Sequence, residues 1–413
     1  MVRHMLRCIL TLCAGAFGVL LGCTTVEGTD HPADSLRYPI GIVADPAGDY
    51  VYVVNSNFDL AHVGGAIVPL DLETNKLVSE SAVQVNSFGG RLALREVDGK
   101  AVGLYLPARG TNTLTWVELS REEETGAPRL SCSETAPEAG RLATCNGRYV
   151  FGGDEALVLP GVDPFGVTLR PPMGDEPGYV ITSAFDGTAS VFRLSDEGQP
   201  TLAHQETLTL GTYDLAMHPV TGHAYATSKF ANVVFTLDVN EVNPDTDPET
   251  DGGITVTSDP AVVVTNPTPG KDLARGFAFN AAGTLGFIAY RAPPSLVVVD
   301  TSVAPTGEVA NRVLDSVPLA DGPASVAVAP TGADGRELVY VTLYDAAQIA
   351  VVDPKLFDVI AVIDVGQGPF DLVIVQNEKR KRAYVTLFEE NAVAVIDVDP
   401  ESPFYHQEIA RVP

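Results

Sequence analysis

A short repeat of apolar runs constrains this chain more than any other feature. Its cleanest copy reads Gly-Pro-Phe-Asp-Leu-Val-Ile-Val at 368–375, Ala-Tyr-Val-Thr-Leu at 383–387 and Ala-Val-Ala-Val-Ile-Asp at 392–397. The preceding copy keeps the order, with Gly-Pro-Ala-Ser-Val-Ala-Val at 322–328, Tyr-Val-Thr-Leu at 340–343 and Ile-Ala-Val-Val-Asp at 349–353. The runs are too short for helices, rich in β-branched residues and bounded by Gly, Pro, Asn and Asp, which is the signature of strands. Gly-Pro ahead of the first run suits a tight turn, because Pro presets φ and Gly supplies backbone angles that other residues avoid. Asp at the end of the third run, as in Asp353-Pro354, suits the opening of a β-turn. A weaker fourth run follows each copy, at 359–363 and 408–412.

Four antiparallel strands make one small sheet that cannot bury both faces alone. Stacking such sheets around a ring solves the problem. Further copies begin near Tyr38, Gly90, Phe165, Tyr213 and Arg275, so seven units account for nearly all of the chain. The expected fold is all-β: a seven-bladed β-propeller of four-stranded antiparallel blades spanning 37–413. Two stretches interrupt the pattern, at about 120–153 and 240–259, and the fourth strands are expected to resume at 156–159 and 261–264.

Tyr340-Val341-Thr342-Leu343 and Tyr384-Val385-Thr386-Leu387, each followed by an apolar run ending in Asp, resemble the YVTN repeat family of β-propellers. The match is specific in units six and seven, fair in one, four and five, and loose in two and three. The resemblance implies a seven-bladed ring, often exported or on the cell surface, and no single activity. Some relatives are binding or surface-layer proteins. Similar propellers form lactone-hydrolysing enzymes and large subunits of redox enzymes.

The N-terminus has its own logic. Arg3 and Arg7 precede an uncharged apolar stretch from Cys8 to Leu21, too short to span a bilayer comfortably and flanked as a signal peptide is. It ends in Leu20-Leu21-Gly22-Cys23, which resembles the bacterial lipobox. That resemblance implies a signal peptide over 1–22, cleavage before Cys23 and lipid on Cys23. Thr24 in the next position resembles the sorting signal of Gram-negative outer-membrane lipoproteins. Residues 23–36 read as a flexible polar tether. The expected place is the outer membrane, facing the periplasm or the exterior, with contact to the bilayer only through the lipid. Cys132 and Cys145 are then the remaining cysteines, and a pair in an exported chain is most simply a disulfide. A formal charge of −27 repels nucleic acid and anionic headgroups. The chain is expected to be a monomer.

In a propeller the first strand of each blade lines the axis, and the loops between second and third strands gather on the face that usually carries ligands. Those loops hold Phe58, Phe185, Phe230, Tyr290, Tyr344 and Phe388, with Arg109 in the second unit. They read as an aromatic rim that grips a partner or an apolar ligand. The alternative, that each aromatic plugs a gap between blades, carries more weight. Arg91, Asp214, Arg275 and Asp371 are expected to enter the channel, where they can bind a polar small molecule or an ion. Pairing with one another or with water is the favoured reading. His218 and His223 flank a tight turn without an evident third metal ligand. Asp245, Asp247 and Asp251 offer alternating carboxylates that a calcium ion can use, but the run lacks the Gly and the closing Glu of an EF-hand. A solvated acidic loop is the simpler reading, and no cofactor is expected.

No Gly-x-Ser-x-Gly elbow, His-Glu-x-x-His, Cys-x-x-Cys-His or phosphate-cradling Gly-Lys loop occurs. The balance leans away from catalysis. The expected function is a cell-envelope lipoprotein whose propeller is a binding or scaffold module for an envelope protein or polymer. The alternative is a lactonase-type hydrolase or a propeller subunit of a redox assembly.

Overall fold

The computed structural model describes residues 28–413 apart from 138–140, 154–155, 175, 243–252, 266, 269 and 331–334. The expected signal peptide, Cys23 and the candidate calcium ligands Asp245, Asp247 and Asp251 lie outside the described residues.

The chain forms seven antiparallel sheets in a ring, a seven-bladed β-propeller. Blade 1 is Pro39–Ala44, Tyr50–Asn55, Gly65–Asp71 and Val83–Val85. Blade 2 is Ala93–Val97, Lys100–Ala108, Thr113–Arg121 and a fourth strand in two pieces, Pro128–Ser131 and Val150–Gly152. Blade 3 is Pro164–Arg170, Tyr179–Ala184, Thr188–Leu194 and Pro200–Thr207. Blade 4 is Thr212–Met217, Ala224–Ser228, Val233–Val242 and Gly253–Val263. Blade 5 is Ala274–Phe279, Leu285–Arg291, Pro294–Asp300 and Arg312–Pro318. Blade 6 is Pro323–Val328, Val339–Leu343, Gln348–Asp353 and Asp358–Asp364. Blade 7 is Pro369–Gln376, Lys381–Leu387, Ala392–Asp397 and Gln407–Val412. The middle strands are buried on both faces, which is why they read as continuous apolar runs. The outermost strands alternate exposed and covered residues, as at Asp358–Asp364.

The Tyr-Val-Thr signature has a physical reason. Residues two apart in a strand point to the same side, so Tyr340 and Thr342 both face blade 7. The Tyr340 hydroxyl meets His406 Nε2 at 3.0 Å, in the turn before the last strand. Burial pushes the His406 imidazole down to about 4, so it meets the tyrosine as a neutral ring. Thr342 Oγ1 accepts from Ser325 N–H of its own blade at 2.8 Å and donates to Phe370 O of the next at 3.2 Å. Blade 4 repeats the device: Tyr225 donates to Asn311 Oδ1 at 2.7 Å, and Thr227 accepts from Asp214 N–H and donates to Arg275 O. Tyrosine supplies apolar bulk between blades and a polar tip that fixes the outer turn. Threonine satisfies one backbone donor and one acceptor that the blade seam would otherwise bury unpaired.

The same device closes the ring. The last strand pairs within its own blade, so no strand is exchanged between the termini. Thr386 accepts from Asp371 N–H at 2.9 Å and donates to Ile40 O of blade 1 at 3.1 Å. Tyr38 N–H donates to Asn391 Oδ1 at 2.8 Å, and Leu36 packs into one apolar cluster with Ile42, Val393 and Val412.

Three expectations are corrected. The described part of the tether, 28–36, lies against the body: His31 and Leu36 are buried, and Thr29 pairs with His62. Single anchoring residues in a polar stretch leave no periodic trace. The fourth strand of blade 2 is not 156–159 but the two short pieces given above. Residues 132–149 leave between those pieces, pair in parallel with blade 1 through Ala143–Thr144, and return. In blade 4 the described residues of the supposed insertion are strand, because Val233–Val242 and Gly253–Val263 pair as a long hairpin. In blade 4 the run Ile254-Thr255-Val256-Thr257 is broken from the rest of its strand by Ser258-Asp259-Pro260, and in blade 2 neither piece is long enough to show a period, which hid their pairing.

Near the axis the blades approach so closely at Gly41, Gly166 and Gly276 that no Cβ fits. A Cβ on Gly166 would collide with Ser183 Oγ and with Tyr213 O of the neighbouring blade. Gly166→Ala is therefore expected to destabilise the fold by about 1–3 kcal/mol through overpacking. Chemical denaturation measures this, and an unchanged midpoint would contradict the close approach.

Candidate functional site

One position defines the mouth of the channel in every blade. It is the residue just past the second strand, or its last residue in blade 5: Ser56, Arg109, Phe185, Lys229, Arg291, Tyr344 and Phe388. In each blade its N–H donates to the carbonyl just ahead of the first strand: Tyr38, Phe88, Asp163, Gly211, Leu273, Gly322 and Gly368 in turn. The repeated backbone bond fixes where these side chains emerge, whatever their type.

Five of these residues, Arg109, Lys229, Arg291, Tyr344 and Phe388, help to line a cup of about 260 Å³ at the channel mouth. Phe58, Phe88, Phe370 and Phe388 form one wall, contributed by blades 1, 2 and 7. Phe58 stands edge-on to Phe88 and to Phe388, with centroids 5.6 and 5.2 Å apart. Arg109, Lys229, Arg275 and Arg291 bring four cations to the same cup, where Asp345 is the one carboxylate of the described lining. Phe165 and Tyr213 stack at 4.3 Å between the cations. The guanidinium of Arg275 sits 4.7 Å from the Tyr213 centroid and the Lys229 ammonium 4.4 Å from it.

The cations are held differently. Arg109 makes a forked bond to Asp163, and Arg275 pairs with Asp272. Arg291 donates to Pro323 O at 3.0 Å and comes only within 3.9 Å of Asp345. Lys229 makes no carboxylate pair among the described residues and rests on the faces of Tyr213 and Phe185. Burial, with the neighbouring Arg275, pushes its pKa down to about 8.

Below the cup, one ring level deeper, the axis is plugged. The level comprises Gly41, Arg91, Gly166, Asp214, Gly276, Ser325 and Asp371, the third residues of the repeated turn-to-strand segment. Arg91 reaches across it to Asp214 at 3.1 Å, to Ser325 at 3.1 Å and to Asp371. Asp371 also accepts from Ser325 Oγ at 2.8 Å and from Ile42 N–H at 3.2 Å. Burial opposes the Arg91 charge, but the two carboxylates outweigh it and raise its pKa. Burial raises the pKa of Asp214, reinforced by Asp371 and opposed by Arg91.

Of the residues anticipated from sequence, the structure gathers Phe58, Arg109, Tyr344 and Phe388 at the cup. Phe185 and Phe230 pack edge-on at 5.4 Å, outside its lining, and Phe230 stays exposed. Tyr290 is buried in the core, and its neighbour Arg291 takes the mouth position. Arg91, Asp214 and Asp371 pair with one another, while Arg275 joins the cup instead. Lys229, Arg291, Phe88 and Phe370 were not anticipated; the common backbone position is the signal that finds the first two. His218 is buried against Thr301 O of blade 5 and His223 faces Asp238. Among the described residues no three of His, Cys, Asp and Glu gather as a metal site. Cys132 and Cys145 form a disulfide. A larger hollow of about 760 Å³ lies under the insertion, and its described lining shows no convergent chemistry.

No family model matches the chain, and no curated protein does. Solved structures do. The periplasmic gluconolactonase of Pseudomonas aeruginosa is similar with a TM-score of 0.56 and 14% identity over 84% of this chain and 92% of that one. The hydrazine synthase of Kuenenia stuttgartiensis gives 0.55 and 14% identity over 91% and 98%. A functionally unknown protein from Desulfotomaculum acetoxidans gives 0.56 and 12% over 84% and 92%. At such identities the likeness is one of fold.

Proposed function

We propose that this protein is a non-catalytic binding module of the cell envelope, tethered through lipid on Cys23, that presents its channel mouth to an envelope protein or polymer. The observation that carries the reading is a set of strained residues that line or brace the mouth. The residue ahead of the first strand adopts positive φ in six blades, and Gly211, Gly322 and Gly368 bear it without cost. Blades 1, 2 and 3 instead place Tyr38, Phe88 and Asp163 there, at φ of 49°, 58° and 62°. Such conformations cost on the order of 1–2 kcal/mol each for residues with a Cβ. All three side chains serve the mouth: Phe88 lines it, Asp163 holds Arg109, and Tyr38 packs on Phe388 at 5.2 Å. Strain held by residues that line or brace one opening marks that opening as a working surface. The aromatic wall, with Phe58 exposed and Phe88, Phe370 and Phe388 half-buried, supplies contact area at low entropic cost.

A photo-crosslinking amino acid tests this. Placed at Phe58, it is expected to yield a discrete adduct in intact envelopes, lost on Phe388→Ala. Placed at exposed Val362 on the outer strand of blade 6, it is expected to yield none. Adducts at Val362 alone, or at neither position, would refute the mouth as the binding face.

A further inference from the structure

We infer that the mouth recognises an organic anion, a carboxylate or phosphate group carried on an apolar or aryl body. This rests on the mouth being the binding face and adds the chemistry of what it takes. The chain has 53 acidic residues against 26 basic ones, yet the cup reverses that ratio. Its described lining brings Arg109, Lys229, Arg275 and Arg291 together against Asp345. Counting Asp163 and Asp272, which back Arg109 and Arg275, four cations still face three carboxylates. Against an acidic exterior, such a cup is where an anion is attracted rather than repelled.

The cup is also polarised. The phenylalanine wall comes from blades 1, 2 and 7, and three of the four cations come from blades 4 and 5 across the axis. A ligand with an anionic end and an apolar body fits this division, while a small inorganic ion would leave the aromatic wall unused. Lys229 is the recognition group. Its ammonium is the cation of the cup without a carboxylate partner among the described residues, held between aromatic faces with donor capacity to spare. Each arginine is already bound, Arg109 by a fork to Asp163, Arg275 by Asp272 and Arg291 by the Pro323 carbonyl.

Protonation adds an independent readout. Lys229 faces Arg109 with Asp163, Arg275 with Asp272, and the Tyr213 ring, and it titrates near 8 in the free protein. An anion bound beside it favours the charged amine. Affinity therefore falls as pH rises through about 8, while the arginines keep their charge.

The test uses the purified full-length protein and isothermal titration with three probes of one shape: naphthalene-2-carboxylate, 2-naphthyl phosphate and the neutral 2-naphthalenemethanol. The two anions are expected to bind at least about tenfold more tightly than the alcohol, the worth of one charge-assisted hydrogen bond. Lys229→Gln and Lys229→Met should each abolish that difference and the pH dependence while leaving the melting temperature in place. Their relative affinities distinguish a carboxylate from a phosphate preference. Equal binding of anions and alcohol, all lost in Phe388→Ala, would overturn the anion recognition and leave the mouth as the binding face. No binding of any probe, or binding indifferent to both Lys229 and Phe388 substitutions, would overturn the inference, and the adduct at Phe58 then decides separately whether the mouth binds at all.

Discussion

Arg91→Met is expected to cost about 3–5 kcal/mol of stability, the penalty for leaving buried carboxylates without their counter-charge. Asp214 and Asp371 come from blades 4 and 7, and Arg91 from blade 2, so one guanidinium ties three distant parts of the ring across the axis. All three residues are buried. Methionine keeps most of the volume and removes the charge. What remains is two buried acids near the axis, of which Asp371 keeps a neutral side-chain donor, Ser325. The loss depends on pH in a defined sense. Asp214 already has a folded pKa above its ordinary value, through burial and then the charge of Asp371. A group shifted upward contributes most below its unfolded pKa and loses that contribution as pH rises through the folded value. Removing Arg91 raises Asp214 further. The variant should therefore be weakest near neutral pH and recover toward pH 4.

A second substitution separates charge from packing. In Arg91→Met/Asp214→Asn the new amide oxygen keeps the bond from Leu215 N–H, now accepted by Asp214 Oδ1. The amide nitrogen then faces Asp371 as a donor. At least about 1 kcal/mol should return, one buried hydrogen bond's worth. Chemical denaturation at pH 4.5 and 7.5 measures each of these. A single variant that loses under ~1 kcal/mol, or loses it equally at both pH values, would show that the plug is not held by charge.

The blades were legible because their signature residues make the same contacts in more than one copy. Tyr340 and Thr342 face the next blade because they are two apart in a strand, and so do Tyr225 and Thr227. The pattern repeats because the seam repeats. The site was legible only in part, for the opposite reason. Arg91, Ser325, Asp214 and Asp371 each occur once, in four blades, and meet only when the ring closes. Nothing local marks Arg91 as a plug. At the rim the difficulty is register. Tyr290 and Arg291 are adjacent, and so are Lys229 and Phe230, yet a shift of one residue in a strand sends a side chain to the other face. Aromatic type suggested Tyr290 and Phe230, while the backbone bonds from Arg291 N–H to Leu273 O and from Lys229 N–H to Gly211 O put the cations at the mouth. The split strand of blade 2 was hidden because neither piece, Pro128–Ser131 nor Val150–Gly152, is long enough to show a period.

That split strand makes the disulfide a larger stabiliser than a surface staple would be. Cys132 and Cys145 stand at the two ends of the excursion, one directly after the first piece and one ahead of the second. Cys132 is fully buried, and the return leg brings Tyr149 against Trp116 at 5.1 Å and Arg148 over the same ring at 5.7 Å. Without the bridge, residues 132–149 become an open loop whose closure entropy falls on the strand pairing alone. For a loop with a sequence separation of 13 the bridge is worth about 3 kcal/mol. Cys132→Ser/Cys145→Ser should therefore lose about 2–4 kcal/mol, and it should do so from the outer edge inward. Limited proteolysis is expected to cut within 132–149 before any other site, with release of the Ala143–Thr144 pairing to blade 1. The mouth lies at the inner end of the blades, so Lys229 and its neighbours should keep their geometry, and probe binding should survive mild reduction. If reduction left both the melting temperature and the cleavage pattern unchanged, the two strand pieces would hold the excursion by themselves, and the disulfide would be dispensable to the fold.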